Sequence, residues 1–565
     1  MNCKFVGGRG LIFCLAVIVA AGVGFFAPVL AQSPADDGVK SFEASQILAH
    51  IKTLSSDEFQ GRGPGTRGED LSIAYLEKEY REFGLEPGNP DGTYLQKVPL
   101  VGIKPDPAME LTFSGHDQTL HAAFEKDFVA WTKRMVDSVS LDNAEMVFVG
   151  YGVQAPEYKW DDFKGVDVRG KVIVVLINDP PVADEKMFGG KAMTYYGRWT
   201  YKFEKAAQLG AAGCIIVHET ARAGYPWEVV RNSWSGEQFD LASANKNMNR
   251  VAVEGWITHE EAEALFHAAG LDFATLKQKA VSADFKPMPL GMKASIEIHN
   301  KLQPIESHNV IAKLTGSDAK LKNQYVVYTA HWDHFGIGPE VNGDKIYHGA
   351  LDNASGSAAL LEIARAYKQL KVPPKRTMLF LSVTAEEQGL LGSRYYAEHP
   401  LYPIAFTAAD INMDGMNVWG RTRDITVVGN GKSTLDDVVA AVAREQGRRV
   451  DPDPEPEKGF YYRSDHFSFA KVGVPAFDPD AGVDFIGKPE GWGMKTRQKF
   501  TAEDYHKPSD KIKEDWDLSG AVEDCQLYFL VGYRVANAKT MPEWKANAEF
   551  KGIREESLKK AGAGE

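Results

Sequence analysis

Cysteine is scarce in this chain: four residues in 565, with Cys3 and Cys14 close to the amino terminus and Cys214 and Cys525 far apart. No pair has zinc-motif spacing, so cysteine-ligated modules are excluded. Cys214 lies in the apolar run 211–217 and Cys525 in a predicted helix; both read as buried and unpaired. Positive charge is also short, with 64 Lys and Arg against 77 Asp and Glu and a net charge of -13. No cationic excess is available to neutralise phosphates, which argues against a nucleic-acid partner. Beyond residue 31 no stretch is apolar enough to span a bilayer. H-E-x-x-H and G-x-S-x-G are both absent, which removes two common hydrolase routes. Gly150-Tyr151-Gly152 follows a predicted strand like a dinucleotide fingerprint, but Pro156 comes where a helix should begin. A β-turn is the better reading.

What is present begins with a targeting segment. Lys4 and Arg9 precede the apolar run Leu11 to Phe26, and Val29-Leu30-Ala31 is a small-residue cleavage signal. Residues 1–31 therefore read as a signal peptide, and the mature protein as periplasmic or secreted with no stable membrane span. A short polar linker is expected through Val39. The remaining length exceeds one ordinary core. Residues 40–109 read as the first part of a catalytic domain, 110–297 as a β-rich insertion, 298–545 as its second part and 546–565 as a tail. Within the insertion, Val172 to Ile177 is a β-branched run suited to a strand buried on both faces. Trp234 to Asn249 is polar and reads as loop.

From about Ser307, strands and helices alternate. Tyr325–Ala330, Met378–Val383, Ala408–Met413 and Ile425–Val428 read as strands; Ser355–Leu370, Leu435–Gln446 and Leu518–Ala538 read as helices. This predicts an α/β fold, a mixed, mostly parallel sheet with helices on both faces. The carboxyl ends of its strands collect metal-ligand residue types: His331, Asp333 and His334 after the first, Glu386 and Glu387 after the next, Asp414 after another. Asp352 precedes a helix, and Tyr505-His506 lies in a late loop. Functional groups gather at this edge of open α/β sheets, and buried carboxylates are costly unless paired or bound to a cation. Asp352, Glu387 and Asp414 supply three negative charges, which suits two Zn2+ and a hydroxide better than one ion.

These segments resemble the zinc-dependent exopeptidase family of bacterial secreted leucyl-type aminopeptidases and glutamate carboxypeptidase. The matching stretches are 330–334, 349–356, 384–393, 412–414, 464–466 and 505–510, in the family's order. The insertion resembles the protease-associated domain through 147–152 and 210–213. The resemblance implies that His331 and Asp414 hold one zinc, Glu387 and His506 the other, and Asp352 both. It makes Glu386 the general base, Asp333 the group that orients His331, and Tyr505 the donor to the scissile carbonyl. A cis peptide after Asp352 is also implied. The expected substrates are peptides with a free amino terminus. The same centre serves carboxypeptidases and acyl-amino-acid amidohydrolases, and Arg463 and Lys458 keep that alternative open. A receptor-like relative without catalysis is the non-enzymatic alternative.

Overall fold

A computed structural model describes residues 34–184, 186–546 and 548–562. The signal segment lies outside the described residues.

The part read from the sequence as catalytic is built on Tyr325–His331, seven residues all buried. Neighbouring residues point to opposite faces of a strand. Val326, Tyr328 and Ala330 accordingly join one core, with Leu360, Ile363 and Phe529. Tyr325 and Val327 join another, with Tyr396, Phe467 and Phe469. This explains the uninterrupted apolar run, since both faces are covered by helices. Each such Val side chain contributes about 1.5–3 kcal/mol by leaving water.

The strand lies parallel to Thr377–Val383 on one side and to Thr407–Asn412 on the other. Ala476–Ala481 extends the parallel set. Asp424–Val428 then runs antiparallel to it and parallel to Arg449–Pro452. The sheet is thus mixed and largely parallel, with helices on both faces, as the alternation predicts.

A second sheet gathers Glu110–Gly115, Gln118–Ala123, Phe128–Trp131, Ser138–Phe148, Val172–Leu176, Gly213–Val217 and Val253–Ile257. Its cores exclude the residues of the first. One strand, Met288–Leu314, belongs to both sheets. Between them it pairs with Leu95–Pro105, from Asn300 opposite Pro105 to Val310 opposite Leu95. The chain enters and leaves the second sheet along this two-stranded ribbon.

Three expectations need correction. The polar linker is helical at Asp36–Val39 and packs on Ser519–Asn537, with Gly38 against the Phe529 ring. Its burial depends on a helix almost five hundred residues away, which no local pattern reveals. Gln238–Leu241, inside the stretch read as loop, is a strand antiparallel to Leu100–Ile103. Its buried Asp240 pairs with Arg394, and a charge facing inward hides the alternation. The tail contains the helix Lys551–Gly562, held by buried Arg554 donating to the Thr407 carbonyl at 2.9 Å. Cys214 and Cys525 are free and buried.

Candidate metal centre

Five chain segments deliver side chains to one edge of the first sheet, the fifth being the loop after Trp492–Glu503 that carries His506. His331 is the last residue of its strand. Glu386 and Glu387 follow Thr377–Val383 across a turn that puts Ala385 at φ 53°. Asp414 lies two residues beyond Thr407–Asn412. Asp352 sits in the irregular turn leading into Gly356–Lys368, where the Asp352–Asn353 peptide is cis. Asn353 ties this turn to the Asp414 loop, donating to the Met413 carbonyl at 2.9 Å and accepting from Gly415 N–H at 3.0 Å.

The separations converge on Asp352. Its Oδ1 is 3.4 Å from His331 Nε2, and its Oδ2 is 3.3 Å from His506 Nε2. His331 Nε2 also lies 3.2 Å from Asp414 Oδ1, and His506 Nε2 lies 3.2 Å from Glu387 Oε2. Ligand atoms on a tetrahedral zinc with bonds of about 2.0–2.1 Å stand roughly 3.3–3.4 Å apart. In each trio the histidine nitrogen stands near that spacing from both carboxylates. His506 Nε2 is buried and makes no hydrogen bond although two carboxylate oxygens are close. A nitrogen aimed between two oxygens is what a shared cation requires. The donor set, imidazole and carboxylate only, fits zinc.

The electrostatics agree. Asp352, Glu386, Glu387 and Asp414 share this hollow with His331, His334 and His506. Burial, reinforced by Asp414, Glu387 and Asp465 against the opposing pull of His331, holds the Glu386 carboxyl well above its ordinary range. Burial and Asp352 do the same for Glu387. Burial opposes charge on His331, yet Asp414, Glu386 and Asp352 hold its pKa well above the usual value. Carboxylates so crowded call for cations.

Asp333 departs from its expected role. His331 Nδ1 lies 3.2 Å from the Asp333 main-chain carbonyl and 3.8 Å from its carboxylate. The carboxylate instead accepts from Glu386 N–H at 3.1 Å. The carbonyl two residues past the strand end reaches the ring first, which frees the carboxylate to hold the Glu386 turn. His334 Nδ1 meets Glu387 Oε1 at 2.5 Å, and burial lowers its pKa to about 4. It is a neutral ring that fixes Glu387. His466, beside Asp465, is also buried, its pKa lowered to about 3. Tyr505 stacks on His506 with ring centroids 3.7 Å apart. Although 42% of the residue is exposed, desolvation and then Asp352 and Glu387 keep its phenol protonated.

Two supporting residues escape residue-type reasoning. Arg62, fully buried, donates to the carbonyls of Leu54, Trp332, His348 and Gly349 at 2.7–2.8 Å. It clamps the His331 and Asp352 loops together. Asp510 accepts from Leu351 and Asp352 N–H at 3.0 Å. Only the Gly61-Arg62 pair in a glycine-rich loop, and Asp510 four residues past His506, hinted at them.

Residues 309–530 match the model of Peptidase family M28. Aminopeptidase YwaD of Bacillus subtilis is 40% identical over 362 residues, 63% of this chain and 58% of that protein. A probable leucine aminopeptidase 2 of Aspergillus oryzae is 26% identical over 366 residues, 63% of this chain and 60% of its own length. The chain thus spans about three fifths of these two curated relatives. The aminopeptidase from Aneurinibacillus sp. strain AM-1 shares the fold, with a TM-score of 0.50 and 21% identity over 88% of this chain and 95% of that one. The segment that carries every converging side chain is thus the one that matches Peptidase family M28.

Proposed function

We propose that this protein is a secreted or periplasmic aminopeptidase that removes amino-terminal residues from peptides at a two-zinc centre. The observation that carries the reading is the division of Asp352, one oxygen toward His331 and the other toward His506. His331 and Asp414 would hold one zinc, Glu387 and His506 the other, with Asp352 shared. Zinc at such sites supplies Lewis-acid polarisation of the scissile carbonyl and of the attacking water.

The chain's own groups do the rest. Glu386 Oε2 stands 4.0 Å from His331 Nε2, beside the shared space. From there it can accept a proton from the water and return it to the leaving amine. Asp333 keeps the Glu386 main chain in place. Tyr505 donates its phenol proton in a hydrogen bond to the oxygen on which negative charge develops. The second sheet is read as a protease-associated insertion forming a wall of the site. Its support is contact with the loop before Ser464: Met193 N–H donates to the Pro456 carbonyl at 2.9 Å, and Tyr195 packs on Tyr462. Secretion rests on the segment 1–31, and no helix among the described residues is long and apolar enough to cross a membrane.

Leucyl-nitroanilide and free dipeptides should be cleaved, and N-acetylated dipeptides left intact. Chelation should abolish turnover and zinc restore it. Glu386→Gln should retain zinc and lose about 10²–10⁴-fold in kcat. Cleavage of the N-blocked peptides alone would transfer the protein to the carboxypeptidase or amidohydrolase class.

A further inference from the structure

Asn309 places an amide inside a strand whose next residues are buried and mostly apolar. It stands in Met288–Leu314 directly before Val310 and is fully buried. An amide is costly there unless its polar atoms are paired. Its Oδ1 accepts from Thr384 N–H at 3.0 Å. Its Nδ2 donates to the Gly392 carbonyl at 2.9 Å and to Gln96 Oε1 at 3.1 Å. A main-chain N–H only donates and a carbonyl only accepts, so the orientation of the amide is fixed by its partners. Gln96 is anchored in turn, donating through Nε2 to the His399 carbonyl at 3.0 Å.

Thr384 and Gly392 bracket the segment that carries Glu386 and Glu387. The antiparallel pairing of Met288–Leu314 with Thr377–Val383 ends at Val310 opposite Ser382. Beyond that point the Asn309 side chain replaces the main-chain ladder. The segment closes on itself, Gly392 N–H donating to the Thr384 carbonyl at 2.9 Å. A Cβ on Gly392 would collide with that carbonyl and with Asn309 Oδ1. Within the segment, Ala385 and Leu390 have left-handed backbones, with φ 53° and 60°. Residues with side chains keep such a conformation only where their surroundings over-determine it. Val98, Leu100 and Leu241 form an apolar seat for Ala385 and Leu391. Asn309 ties down the two polar ends.

We infer that Asn309 is a positioning residue for the turn that carries the base. By holding both ends of 384–392 it fixes the backbone that sends Glu387 to a zinc and Glu386 to the attacking water. Two adjacent side chains serve two targets only if the main chain between them is held, and a shift of about 1 Å at a reacting group costs roughly 10²-fold in rate. Asn309 acts on the reaction only through this turn. The inference rests on the reading of Glu386 as the base.

The test is a double-mutant cycle on leucyl-nitroanilide with zinc-loaded wild type, Asn309→Leu, Glu386→Gln and the double variant. Asn309→Leu keeps the size of the side chain and removes its hydrogen bonds. It should lose about 10²-fold in kcat, with KM within about twofold of wild type and zinc content unchanged. In the Glu386→Gln background the same change should cost less than about threefold, because the group it positions is gone. Unchanged kcat in Asn309→Leu, or equal losses in both backgrounds, overturns the inference. Hydrogen exchange read by mass spectrometry gives an answer without turnover. Amides of 384–392 should exchange faster in Asn309→Leu while those of Tyr325–His331 stay protected, and the absence of a local change overturns the inference too. Should Asn309→Leu fail to fold, Gln96→Leu removes the brace on the same amide. It should lose about two- to tenfold in kcat, the scale of one hydrogen bond, and unchanged kcat and exchange there overturn the inference. Full turnover by Glu386→Gln would instead sink the reading of Glu386 as the base, leaving hydrogen exchange to judge Asn309.

Discussion

The two sheets bury charge in opposite ways. In the second sheet, Glu254 is fully buried, and its oxygens accept from Trp131 Nε1 and Arg250, each at 3.1 Å. Asp162 accepts from Val153 N–H at 3.0 Å and Trp160 Nε1 at 2.8 Å. Both of these carboxylates have their donors nearby. At the edge of the catalytic sheet, four carboxylates crowd three imidazoles, and buried nitrogens of His334 and His506 have no partner. Satisfied burial serves the fold. Burial left incomplete marks where something else belongs, and that difference, rather than burial alone, separates structural from functional acids.

Substitutions can break that contrast. The largest effect is expected at the shared ligand: Asp352→Ala should strip zinc from both positions and reduce peptidase activity to background. Elemental analysis that still finds two zinc ions per chain would remove Asp352 from its place. Next comes Glu254→Gln, which leaves the partly buried Arg250 without its counter-charge. It should cost about 3–5 kcal/mol of unfolding free energy with zinc content unchanged, read by denaturant titration. The smallest effect has the opposite sign. In chelated protein, Glu387→Gln should raise stability by about 1 kcal/mol, because one charge leaves a crowded, desolvated cluster; the same change should weaken zinc binding. A loss of stability in chelator would mean that the metal-free cluster is satisfied after all.

Much of this was legible in the sequence because His331, Glu387 and Asp414 follow apolar runs that had to be buried strands, whereas Asp352 and His506, in a turn and a loop, were legible only through the resemblance. His331 after Tyr325–Ala330 and Glu386 after Met378–Val383 needed only residue type and position. Arg62 was not legible as a clamp, since it bonds only carbonyls, and carbonyls leave no trace in residue identity. Asp333 had the right address but its carboxylate holds the Glu386 main chain, a choice settled by fractions of an ångström. Gln238–Leu241 stayed hidden because its inward charge is neutralised by Arg394, distant in the chain.

The ribbon between the sheets has a practical consequence for dissection. Because Met288–Leu314 runs through both sheets, no flexible tether exists to sever, and trimming at either boundary would unzip its neighbour. Lys104 and Lys301, however, stand opposite each other across the ribbon. A two-residue Asn-Gly turn spliced between them closes the stub as a hairpin, and the twist of such a turn matches that of its strands. A shortened chain that keeps the first sheet should therefore be obtainable by one internal splice, with Arg394 then needing a new neighbour in place of Asp240.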